Sequence, residues 1–385
     1  MKKHRLPALL LALALTAALT PPVPVDAAEL LLPVRQEYSG QFRDLTGSWC
    51  EDAVSVCYET GLLTGRTPDR FDASGTLTCA QITAVSARLL ALLNGEDGSF
   101  PAPAAGEAWY QPYASYLAAN CQSGAVQAFL NSLDGAGPQS GRPCVRRSFA
   151  ALLSGVLPED ALAAVNDISV VIDSADADVV RFYRAGILSG TDAYGTFRGE
   201  NPLTRGAAAA MLARIVDPRQ RLRFTPRSFD LCRDGLGVEP DTVLLTVDGQ
   251  PYTAEVLAPI LASTAYEYDH SHFAAMTLEM NGGTPAGEAV QTFCQQLLCE
   301  KLAQELGLDI APADALYLDG YHGLTAAGQA WQAYHDRLML GVLQALNGPL
   351  PSERVPAPEY EAVWNTLPLD DLGIRLRSLP YWSGH

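Results

Sequence analysis

Lysine is nearly missing from this chain. Among its 26 cations only Lys2, Lys3 and Lys301 are lysine, and the rest are arginine. A nucleotide-composition bias explains this as readily as a ligand preference, so it decides nothing. Cations of either kind are outnumbered by 43 carboxylates, giving a formal charge of −17. That excess argues against nucleic acid and anionic membrane as partners. Long apolar runs are scarce too. Beyond the stretch from Leu6 to about Leu19, none reaches bilayer-spanning length. No Gly-x-Ser-x-Gly, phosphate-binding loop or dinucleotide fingerprint occurs. No acid/base pair stands at a hydrolase-like spacing, so an enzyme is the last-ranked function class.

Metal chemistry finds little support either. The eight cysteines (Cys50, Cys57, Cys79, Cys121, Cys144, Cys232, Cys294 and Cys299) fit no metal spacing. Cys50 and Cys57 lie two helical turns apart, too far for a bridge within one helix. Most of the eight read as small buried apolar residues. His270-x-His272 lacks a third ligand at suitable spacing, and a solvated loop explains it better. Asp173, Asp176 and Asp178 lack the glycine and spacing of a calcium loop and read as an exposed helix entry. No metal and no cofactor are expected.

What the chain does have is a pattern written twice. Gly61-Leu62-Leu63-Thr64-Gly65 precedes Phe71, Leu77-Thr78 and Arg88, and Gly186-Ile187-Leu188-Ser189-Gly190 precedes Phe197, Leu203-Thr204 and Arg214. Val54 and Tyr58 stand before the first copy as Val179 and Tyr183 stand before the second. A worn third copy lies between them: Trp109 precedes Cys121 as Trp49 precedes Gly61, and Val145–Leu153 overlays Thr204–Leu212. Each unit reads as helix, turn, loop, helix. Gly61 and Gly186 fall where a helix end needs φ > 0. Thr78 and Thr204 fall at helix N-caps, and Gln81 completes a capping box in the first unit only. Cys121 in place of the glycine should strain or shift the middle turn. Units this small must pack on one another.

Phe42-Arg43-Asp44, Trp49, the Gly-aliphatic-aliphatic-x-Gly turns, the phenylalanines and Leu203-Thr204-Arg205 together resemble the S-layer homology (SLH) domain, which normally occurs as three tandem copies. The resemblance covers nearly half the chain. It implies a mainly α, pseudo-threefold helical spindle that binds an anionic, pyruvylated secondary cell-wall polysaccharide. It places Arg205 and Arg146 at the anionic ligand, with Asp44, Asp167, Trp49 and Trp109 as further site residues. Cys79 holds the matching place in the first unit, so one pocket has lost its charge. Against this stands a plainer reading, in which Leu-Thr-Arg is helix capping plus a solvated charge and the tryptophans are packing residues.

Residues 1–27 read as a secretory signal peptide: a basic start, a short apolar core and small residues at Val25-Asp26-Ala27. Cleavage after Ala27, or next to it after Ala28, removes three cations and one carboxylate and leaves −19. The expected location is therefore the cell wall or surface, in a setting that permits disulfides. No cysteine at the junction suggests a lipid anchor, and the C-terminal residues carry no apolar tail.

The expected layout is a linker over 28–39, units over 40–98, 99–160 and 161–217, a Pro/Gly-marked linker over 218–241, a helical domain over 242–348 and a tail over 349–385. Val243–Val247 reads as a strand ending in the turn Asp248-Gly249. Helices follow from Thr253 to about Tyr268, from Glu288 to Leu306 and from Thr325 to near Asn347, with a loop around His270–Pro285. Val247-Asp248-Gly249-Gln250-Pro251-Tyr252-Thr253, Lys301–Ile310 and Leu324-Thr325 resemble the N-terminal helical segment of SurA/PrsA-type foldases. That resemblance implies a module that cradles unfolded polypeptides, without a proline-isomerase domain.

Overall fold

The computed structural model describes residues 32–133, 139–158, 161–280, 283–310, 323–359, 366–369 and 371–381. The expected leader lies outside them. Among the described residues the chain is mainly helical, with one two-stranded sheet. No helix there is long and apolar enough to cross a membrane.

Residues 32–216 share one hydrophobic core. The first unit holds α1 (Glu51–Glu59) and α2 (Cys79–Leu93), the second α3 (Gln111–Asn120), α4 (Gly124–Leu133) and α5 (Arg146–Val156), and the third α6 (Ala177–Arg184) and α7 (Arg205–Val216). Local chemistry sets the ends of these helices. Thr78 Oγ1 accepts from the Gln81 amide at 3.3 Å while Gln81 Oε1 accepts from the Thr78 amide at 2.9 Å, closing the expected capping box. Thr204 caps α7 one-sidedly, through the Ala207 amide at 3.2 Å. Gly61 and Gly186 adopt φ of +79° and +71°, as their positions after α1 and α6 require. Gly65 serves another need: a Cβ there would meet the Phe42 ring and the Thr67 carbonyl at 2.4 Å.

The middle unit departs as Cys121 foretold. An extended backbone at Cys121 (φ −124°) replaces the left-handed turn, and the chain runs into the extra helix α4. Val145 still takes the dihedral angles of a cap (φ −91°, ψ 157°), close to those of Thr78 and Thr204, though it has no hydroxyl to donate or accept.

The three units close on one another in a ring. The Leu77 amide donates to Leu203 O at 3.0 Å, the Leu203 amide to Cys144 O at 2.7 Å, and the Cys144 amide to Leu77 O at 2.8 Å. These three residues occupy the same place in their units, two before the first residue of α2, α5 and α7, and are buried. The same cycle repeats in the helices, since α2 packs on α3, α5 on α6 and α7 on α1. It repeats again where helix N-termini need acceptors. Cys79 and Ala80 donate to Arg142 O and Ser140 O, Arg146 and Arg147 to Asn201 O and Gly199 O, and Arg205 and Gly206 to Gly75 O and Ala73 O. Each second helix thus starts on its neighbour's loop.

Two expectations about linkers are corrected. Residues 218–230 are laid onto the third unit rather than hanging between domains: Leu222 donates to Gly186 O at 2.9 Å, Arg227 to Ala193 O at 2.8 Å, and Phe224 to Asn166 Oδ1 at 3.0 Å. Nor are the last residues a tail. The bridge of Glu359 with Thr246, and α12 (Leu372–Ser378), belong to the second core, where Leu367, Leu372, Leu376 and Tyr381 are buried with Phe229 and Leu236. Leu222, Arg227 and Glu359 find acceptors for their amides through long-range contacts, which local composition does not record.

That second core is built on the hairpin β1 (Val243–Val247) and β2 (Gln250–Thr253), turning at Asp248 and Gly249 with positive φ, followed by α8 (Ala254–His270). The expected loop after His270 is instead α9 (His272–Met280), broken from α8 only at Ser271. Then come α10 (Pro285–Leu306), ended by Gly307 at φ +64°, and α11 (Ala326–Leu346), capped by Thr325 and ended by Asn347 at φ +54°. Buried His335 ties α11 to α10 through Glu300 at 3.0 Å.

Candidate ligand grooves between the repeated units

Each ring junction forms a groove between the first helix and loop of one unit and the second helix of another. In the first unit Asp44 is the keystone. Its carboxylate accepts from the Phe71 amide at 2.9 Å and the Asp72 amide at 2.7 Å, pinning the loop that carries both. Desolvation pushes this carboxyl up, but the amide donors and nearby Arg70 outweigh it and hold Asp44 below the usual carboxylate range.

The third unit repeats this clamp with a residue other than the expected one. Asp173, not Asp167, accepts from the Phe197 amide at 2.6 Å and the Arg198 amide at 2.7 Å. Asp167 is exposed, beside Asn166, whose side chain binds Tyr183 O and Leu222 O. The clamp reaches 27 positions along the chain in the first unit and 24 in the third. The spacing from aspartate to phenylalanine is thus three residues shorter in the third unit. Val171-Ile172-Asp173, matched to Phe42-Arg43-Asp44, was the signal available.

Arg205 and Arg146 occupy equivalent places, each reaching from a second helix into its neighbour's groove. Arg205 Nε donates to Phe71 O at 2.9 Å and its Nη2 to Thr64 O at 2.6 Å, with the guanidinium 4.5 Å from the Phe71 ring centre. Arg146 Nε donates to Phe197 O at 2.9 Å, with its guanidinium 5.4 Å from the Phe197 ring. Neither is a solvated charge. Burial weakens the hold of both on their protons, Arg205 by desolvation and then by nearby Arg66, Arg146 by desolvation. An arginine nonetheless stays charged. Sinking it costs several kcal/mol, which the two carbonyl bonds, about 1.5–3 kcal/mol each, and the ring contact, about 2 kcal/mol when desolvated, offset. Arg205 is therefore first a clasp that fastens the third unit to the first.

The cations that face solvent over the first groove are Arg66 and Arg70, both paired with Asp72 at 2.8 and 3.3 Å. Sequence reasoning missed both. Trp49 precedes Cys50, whose sulfur lies beside Gly206 of α7 at the junction of the third and first units. Trp49 is 71% exposed and Trp109 52%, which corrects the reading of both as packing residues. Trp109 sits edge-on to Tyr110 and Tyr113 in the middle unit.

The third groove is roofed. Arg198 donates to Arg377 O at 3.3 Å and Ser378 O at 2.8 Å, capping the end of α12. A cavity of about 560 Å³ lies beneath, with Arg147, Asp173, Glu200, His270 and Arg377 among its walls. Arg147 is paired with Glu200, Arg377 is bound to Asp269, and His270 stacks on Tyr266. Among the described residues no group of three or more His, Cys, Asp or Glu is arranged to hold a metal ion.

Comparison of the chain with protein-family models and with curated proteins finds no match.

Proposed function

We propose that this is an exported cell-surface protein held non-covalently on the wall by its three repeated units, which take an anionic secondary cell-wall polysaccharide in the first groove. The observation that carries this reading is the cyclic ring at Leu77, Cys144 and Leu203, the arrangement that the resemblance to SLH repeats leads one to expect. The first groove supplies the needed chemistry: an exposed indole for a sugar face and two exposed guanidinium forks for carboxylates. Against a background of −19 once the leader is removed, Arg66 and Arg70 stand together here beside Asp44 and Asp72. Binding at Arg66 and Arg70 exchanges the Asp72 carboxylate for a carboxylate of the glycan.

The test is co-sedimentation of the full chain with purified wall sacculi. Retention on intact sacculi, and release once the secondary polysaccharide is stripped away, is the expected result. Equal retention on stripped sacculi would remove the reading.

A second reading rests on α9. Phe273, Met276 and Met280 form a stripe at helical spacing, with Phe273 74% and Met280 78% exposed. Such a face suits transient capture of unfolded chains, as the resemblance of residues 242–346 to foldase segments implies. The full chain should then slow aggregation of an unfolded model protein, and Phe273→Ser with Met280→Ser should abolish that effect. No slowing at molar excess would remove it.

A further inference from the structure

Two of the three ring junctions are fastened by an arginine, and the junction of the first and second units is not. At that junction Cys79 stands where Arg146 and Arg205 stand elsewhere, as the first residue of its helix. Across the junction Arg142 lies opposite it, and a second cysteine, Cys144, lies two residues further along. Segments 77–79 and 142–144 run antiparallel, bridged at Thr78 and Pro143, with the Cys79 amide donating to Arg142 O at 3.0 Å and the Cys144 amide to Leu77 O at 2.8 Å. Cys79 and Cys144 flank that bridge diagonally and point to the same side of it, since alternate residues of paired strands share a face. Each thiol shifts the acidity of the other, and Cys144 Sγ itself donates to Val145 O at 3.2 Å. The other thiols with a recorded bond engage different groups: Cys57 binds Ala209 O, Cys121 binds Gly155 O, and Cys50 meets Ser48 Oγ.

We propose that Cys79 and Cys144 are a site of disulfide formation, a covalent clasp between the first and second units in place of the missing arginine. The oxidant is a low-molecular-weight disulfide. The Cys79 thiolate attacks one sulfur of the donor, forming a mixed disulfide and expelling one donor thiol. The Cys144 sulfur then attacks Cys79 Sγ, its proton leaving with the second donor thiolate. Two cysteine thiols are oxidised, one donor disulfide becomes two thiols, and electrons balance.

The roles follow from the surroundings. Cys79 sits at a helix N-terminus, where backbone N–H groups favour a thiolate. Its thiol is lowered to about 7 by Cys144, then by its own backbone amide and nearby Arg142, despite partial burial. Cys144 is fully buried, and Cys79 together with desolvation pushes its thiol up. Cys79, at 8% exposure, is the one a small disulfide reaches first. Cys144 is the resolving thiol.

The experiment treats the folded full chain with oxidised glutathione, blocks free thiols and maps the peptides by mass spectrometry. One cross-link, Cys79 to Cys144, is expected, with the melting temperature about 10 °C above that of the dithiothreitol-treated chain. Cys144→Ser should instead accumulate a glutathione adduct on Cys79. Recovery of both thiols in blocked form, a persistent glutathione adduct in the unmodified chain, or a bond joining either cysteine to another partner would each overturn the proposal. So would a cross-linked chain that melts where the reduced one does. The map and melt of the unmodified chain decide the matter even where Cys144→Ser fails to fold.

Discussion

The first and third grooves share a backbone and differ in what covers it. In both, a carboxylate takes two consecutive amides of the loop, and an arginine from another unit donates Nε to the phenylalanine carbonyl beside them. Above that floor the two part company. The first carries an exposed tryptophan and two exposed arginines, whereas the third is closed by Arg198 holding α12. The clamp and the clasp are thus structural chemistry required to shut the ring. What differs is the surface above that floor, open over the first groove and covered over the third. An arginine that holds the shape of a repeat need not be one that faces solvent.

The comparison is broken most severely at the clasp. Arg205→Ala strands Phe71 O and Thr64 O and removes the cation over the ring, an expected loss of about 3 kcal/mol. Arg146→Ala, with one recorded carbonyl bond and a more distant ring, should lose roughly half as much. Urea unfolding of the two variants measures the difference. Equal losses would erase the distinction drawn between the grooves.

Next comes the clamp. Asp44→Asn keeps the shape but removes the charge and one of the two acceptor oxygens, an expected loss of about 2 kcal/mol at neutral pH. The sign with pH is fixed by the lowered native pKa of Asp44. Its contribution is fully present above the unfolded carboxylate value, about 4, and drains away as pH falls through the lower native value. Acid titration of stability should show a flatter profile for Asp44→Asn below about pH 4. An unchanged slope would assign that acid sensitivity to other carboxylates.

The repeated units were largely legible from local residues. Glycine after α1 and α6, the Thr78–Gln81 box and the disruption at Cys121 are all short-range events, and each occurs where its residue stands. The cap at Thr325 and the stops at Gly307 and Asn347 were legible for the same reason, whereas the start of α10 behind Thr284 fell within the expected loop. What escaped depends on distant partners. Asp173, read as part of an exposed helix entry, takes its role from amides 24 and 25 positions away. The role of Arg205 depends on carbonyls 134 and 141 positions away. The stretch 218–230 reads as a linker until the third unit supplies its acceptors, and α9 was masked by the histidines and glycines around it. The tryptophans were misjudged because a large apolar residue is more often inside than out.

Smaller effects sharpen the contrast at the surface. Trp49→Ala should weaken sacculus binding about tenfold while leaving stability within experimental error, because the indole is mostly in water. A matching loss from Trp109→Ala would extend the binding surface into the middle unit. Smallest of all, Arg198→Ala should cost less than about 1 kcal/mol. It should still speed amide exchange in α12, read by mass spectrometry, by releasing the carbonyls of Arg377 and Ser378. Unaltered exchange there would mean that α12 is held by its buried leucines alone.

The ring itself is tested most directly by amide exchange resolved at Leu77, Cys144 and Leu203. If these three close a single cycle, their hydrogens exchange together, at the slow rate of global unfolding and with the same dependence on denaturant. Fast, independent exchange at any one of them would show that the cycle is open and that the three units do not share an axis.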